Sequence, residues 1–117
     1  MSEPHRLSNR VARELDNREN QLWLSPVSIW ETLLLLRKNR IRIQDDFAIW
    51  ITGAISKTPL IEAPLTFDVA RALTTVSLPH SDPADIFLVA SAMVFDLTLV
   101  TADRTLVHAP GISVLAN

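Results

Sequence analysis

At 117 residues, 48% of them apolar, the chain is long enough for one domain with one buried core, and its polar residues are spread between apolar runs as in a globular protein. A net charge of −2 gives no global electrostatic case for nucleic acid, and the absence of cysteine excludes disulfides and thiolate zinc sites. The start, Met1 to Arg6, lacks the apolar core of a signal peptide, and no apolar run approaches the length of a membrane span; a soluble cytoplasmic protein is expected.

Ser8 to Asn17 reads as a short surface helix, with Val11, Ala12 and Leu15 on one side and Arg10, Arg13 and Glu14 facing water. Gln21 to Ser25 is short and apolar and predicts a buried strand. A helix from about Ile29 to Asn39 follows, with Ser28 and Glu31 at capping-box spacing. Ile29, Trp30 and Leu33 to Leu36 make that helix apolar on most sides, which calls for deep burial or a covering partner. Asp45 is the expected cap of a further helix from Asp46 to about Lys57, which Thr58-Pro59 ends. Leu60 to Ala63 reads as a strand, and Thr66 caps a helix through Val69, Ala70 and Leu73. Asp82-Pro83 opens the longest helix, to about Phe95, with proline suited to the first turn. Thr98 to Thr101 is a strand, Arg104 to Val107 one helical turn, and Ile112 to Leu115 a last strand.

This alternation predicts an α/β fold, a parallel sheet flanked by helices, with residues 1–117 forming a single domain. Sites in such folds gather where the strands end and the helices begin. Four acids fall at junctions of that kind: Glu31, Asp82, Asp85 and Asp103. Each has an ordinary structural reading. Glu31 fits a capping box, Asp82 a helix cap, and Asp103 a turn or helix start. Asp85 is harder to absorb, because it lies one turn after Asp82 on the same helix face and the two carboxylates repel unless a cation sits between them. Converging carboxylates suit a hard divalent ion such as magnesium. Such an ion would bind a phosphodiester oxygen and activate water. The basic cluster Arg37, Lys38, Arg40 and Arg42 reads first as a solvated helix end and second as a phosphate contact. His80 and the tryptophans Trp23, Trp30 and Trp50 carry structural readings, the tryptophans as core or interface. With two glycines, no loop is built to cradle a nucleotide phosphate.

Three collinear stretches carry a family resemblance: Leu22-Trp23-Leu24-Ser25-Pro26-Val27-Ser28-Ile29-Trp30-Glu31, Leu78-Pro79-His80-Ser81-Asp82-Pro83-Ala84-Asp85, and Leu97-Thr98-Leu99-Val100-Thr101-Ala102-Asp103. With them the chain resembles a PIN-domain ribonuclease of the VapC toxin kind, from roughly Arg6 to the C-terminus. The resemblance implies a magnesium- or manganese-dependent endoribonuclease that cuts RNA, is restrained by a cognate antitoxin and forms a homodimer. It implies Glu31, Asp85 and Asp103 as catalytic acids and metal ligands, with Asp82 as an accessory metal ligand. Arg37, Lys38 and Arg40 are the weaker RNA-contact candidates.

Members of that family begin with an apolar strand ending in an aspartate, before the part matched by Arg6-Leu7-Ser8, and Met1 to His5 supply neither. The expectation is therefore an N-terminally truncated domain that binds metal poorly and cuts RNA weakly or not at all. A misplaced start, a decayed gene, or a neighbouring segment or chain would each account for it. The rival expectation is a non-catalytic remnant acting as a dimerisation or antitoxin-binding module, motivated by the apolar Ile29 to Leu36 helix.

Overall fold

The computed structural model describes residues 13, 20–79, 82–101, 103 and 105–116. Most of the helix expected over Ser8 to Asn17, together with His80, lies outside the described residues. The elements in order are β1 (Leu22–Leu24), α1 (Pro26–Arg37), α2 (Phe47–Lys57), β2 (Leu60–Glu62), α3 (Phe67–Ala72, continued by a 3-10 turn over Leu73–Thr75), α4 (Pro83–Phe95), β3 (Thr98–Thr101) and β4 (Ser113–Ala116).

Local chemistry explains the helix starts. The Asp82 carboxylate accepts the Ala84 N–H at 3.0 Å, Pro83 needs no N–H at the first position, and α4 begins there as expected. Thr66 caps α3 through the Val69 N–H. Two starts differ from expectation. Helix α1 begins at Pro26, with the Ser25 hydroxyl accepting the Val27 N–H at 3.1 Å. Ser28 is then inside the helix, where its carbonyl accepts the Thr32 hydroxyl at 2.9 Å, so the Ser28–Glu31 capping box does not form. The Ser25-Pro26 pair wins because a cap followed by proline is satisfied three residues earlier. Similarly Asp46, rather than Asp45, caps α2 by accepting the Ala48 N–H.

The strands pair in parallel, as expected for α/β architecture, but in two separate pairs among the described residues. β1 pairs β2 (Leu22 with Leu60, Trp23 with Ile61, Leu24 with Glu62), and β3 pairs β4 from Thr98 with Ser113 to Thr101 with Ala116. Helix α4 ends at Asp96, which adopts the left-handed conformation (φ 53°) and lets the Leu97 N–H return to the Ala92 carbonyl at 2.9 Å. Aspartate tolerates that backbone. The chain therefore reverses tightly, and β3 packs against α4.

The core gathers on this C-terminal half. Val89, Leu106 and Ala109 are buried together, with Val76, Leu78, Met93, Leu99 and Ile112 packed around them. Each large side chain buried there contributes about 1.5–3 kcal/mol. Gly111 holds the turn before β4 at φ +83°, and a Cβ there would come within 3.1 Å of the Met93 methyl. Helix α1 is not deeply buried. Only Val27 in it is, and Trp30 is 49% exposed. The other two tryptophans pack against rings: Trp23 stacks on Phe95 with centroids 5.6 Å apart, and Trp50 tilts against Phe47.

Candidate active site

With α1 starting at Pro26, Glu31 is its sixth residue and lies in the second turn, about 7.5 Å along the axis. It caps nothing, and the ordinary explanation for a glutamate there falls away. Its side chain is half-buried, and its carboxyl is pushed above the usual 4.5. Burial is the largest cause, then the charge of Asp85, then that of Asp82. The start of α4, which carries both acids, packs beside α1.

Asp82 and Asp85 hold their places through α4 itself. Asp82 is exposed and spends one oxygen on its cap. Asp85 is the third residue of the helix, half-buried, where the positive end of the helix dipole favours a carboxylate.

Asp103 lies two residues past β3 and is exposed. Its carboxylate accepts the Thr105 N–H at 2.9 Å and the Thr105 hydroxyl at 2.7 Å, while its own N–H donates to the Thr101 hydroxyl at 3.0 Å. The Leu106 N–H donates to its carbonyl, so Asp103 closes the turn that feeds Leu106 into the core. Glu31 is thus coupled electrostatically to Asp85 and Asp82, while Asp103 also serves its own turn.

Oxygen donors of like charge are the right kind for a hard divalent cation. Among the described residues, however, no group of three or more His, Cys, Asp or Glu side chains closes to a metal-holding arrangement. Arg37, Lys38 and Arg40 are exposed at the far end of α1, where cations complement the helix's negative end; Arg37 lies about 9 Å along the axis from Glu31. The residue that sequence reasoning missed is Ser25, buried and decisive for the register of Glu31; its signal was the proline that follows it.

Compared with known proteins, the chain matches the family model described as PIN domain over residues 3–112. No curated protein and no solved structure matches it. The chain belongs to the PIN domain family, whose members are generally nucleases that need a divalent metal ion.

Proposed function

From that membership we propose that the chain is a magnesium- or manganese-dependent endoribonuclease of the VapC toxin kind, with Glu31, Asp85 and Asp103 as its acids and Asp82 as accessory. The observation that carries this reading is Glu31, a half-buried carboxyl raised by burial and by two acids of another helix. Like charges near one another disfavour the ionised form, and a bound cation would relieve that repulsion. A bound divalent ion would supply Lewis acidity toward a phosphodiester and toward water.

The chain's own residues divide the remaining work. Glu31 and Asp85 offer oxygens from two helices. Asp82, fixed by its cap, adds negative charge beside them. Both Thr105 bonds fall on one oxygen of the Asp103 carboxylate, so they do not bar that side chain from joining. Arg37, Lys38 and Arg40 would take RNA phosphates, one to two helical turns away. A cognate antitoxin and a homodimer belong to the same reading, as does a cytoplasmic setting. Among the described residues no helix is long and apolar enough to cross a membrane.

The test is RNA cleavage with magnesium or manganese by the chain and its Asp85→Asn variant, purified alike. We expect cleavage that the variant loses about a hundredfold or more. Equal cleavage by both would sink the metal assignment. The second reading, a non-catalytic binding module, is favoured by one observation: Trp30, Ile49 and Ile55 leave apolar surface in the open on α1 and α2. A strictly monomeric, well-folded protein in sedimentation would count against it.

A further inference from the structure

Phe67, at the start of α3, is 84% exposed. A large apolar side chain left that far in water is an informative exception. Local structure fixes it there. Thr66 caps α3 by accepting the Val69 N–H at 3.2 Å, and Val69, wholly buried, takes the inward face of the helix. Residues two apart on a helix do not share a face, so Phe67 points away from the core. The positions that do share its face, one turn on, are Ala70 and Arg71, both exposed. Arg71 pairs with Asp68 through one guanidinium nitrogen, and a pair between two exposed groups holds the cation only loosely.

The place of this ring in the fold matters as much as its exposure. β1 and β2 run parallel with Leu24 opposite Glu62, and the Ala63 N–H donates to the Leu24 carbonyl at 2.9 Å. The chain therefore leaves both strands at one edge. Ser25-Pro26 leads into α1, which carries Glu31, and Ala63 to Thr66 leads into α3. In turn α3 packs on α4, which carries Asp82 and Asp85. We propose that Phe67 is a stacking platform for an unpaired base of the RNA substrate, and that Arg71 takes a neighbouring phosphate. This rests on the ribonuclease reading and adds a substrate contact to it. A ring with a guanidinium one helical turn away suits single-stranded RNA: the ring offers a face to any base, and the cation partners the backbone. A protein partner fits less well, because it needs a contiguous apolar face. The helical neighbours of Phe67 are a methyl and a charge, with Leu65 in the preceding loop adding a little apolar area.

The test is fluorescence anisotropy with a labelled single-stranded RNA of about twelve nucleotides and mixed sequence. It uses the full chain carrying Asp85→Asn, in magnesium, so that cleavage does not consume the probe. Added to that chain, Phe67→Ala and Phe67→Leu should each weaken binding about tenfold and leave its salt dependence unchanged, while Phe67→Trp should bind at least as tightly. Arg71→Gln should weaken binding and lower the slope of log affinity against log salt by about 0.7. Side chains this exposed carry little stability, so the variants should melt with the parent. Equal binding by Phe67→Leu and the parent would overturn the proposal, since apolar area and not a ring face would then be at work. So would unchanged binding by Phe67→Ala, or no RNA binding by the parent. A Phe67→Ala change in sedimentation with RNA affinity unaltered would overturn it too, making the ring a contact between protein copies. Cleavage that ignores Asp85→Asn would sink the metal assignment alone, because the Phe67 effect is read on binding.

Discussion

The two strand pairs are built from similar pieces and are held in different ways. The pair β3–β4 packs on α4 over a core in which Val89 and Leu106 are almost wholly inaccessible, and Gly111 closes the turn between them. The pair β1–β2 has Ala63 and Val27 buried beside it, but α2 between its strands contributes no buried residue and leaves Ile49 64% exposed. The difference teaches where stability and reactivity sit. Free energy of folding concentrates around α4, while the N-terminal pair carries Glu31 toward α4 on a helix that is only partly covered.

The strongest break of this comparison is Leu106→Ala. It should cost about 2–5 kcal/mol, whereas Ile55→Ala on the exposed α2 should cost well under 1 kcal/mol. Chemical denaturation of the two variants checks it, and equal losses would erase the distinction between the halves.

Ser25→Ala is the next in size. Loss of the cap on the Val27 N–H should cost about 1 kcal/mol, and hydrogen exchange should quicken in the first turns of α1 while α4 is unaffected. A loss spread evenly over both halves would mean that they do not open separately.

The smallest effect sharpens the link between the halves. Glu31 binds its proton more tightly folded than unfolded, so the native state gains on the unfolded chain as pH falls through its raised pKa toward 4.5. Above that window the ionised carboxylate costs stability. Glu31→Gln should therefore be more stable than the parent at neutral pH, by about 0.5 kcal/mol or about 2–4 °C in Tm. The advantage should close as pH drops toward 4.5, where the parent is protonated. Thermal melts of both chains across pH check it. A constant difference would mean that charge is not its source.

What was legible in the sequence was what neighbours in the chain decide. Thr66 and Asp82 cap their helices because a side-chain oxygen meets an N–H two or three residues on, and the strand over Thr98–Thr101 has the bounds its pattern implied. Even at that range two local signals competed. Ser28–Glu31 was a valid capping pattern, but Ser25-Pro26 started the helix first. The parallel sense of the strands was equally legible.

Only the tertiary structure decided which of the candidate acids meet. Glu31 feels the charges of Asp85 and Asp82 because α1 and the start of α4 come together, and Asp103 forms an Asx turn with Thr105. It also decided which strands pair among the described residues, since pairing joins residues far apart in the chain and periodicity along the chain does not report it. Local hydrogen bonds settle within a few residues and can be read there; charge coupling and strand pairing depend on distances that exist only once the chain has folded.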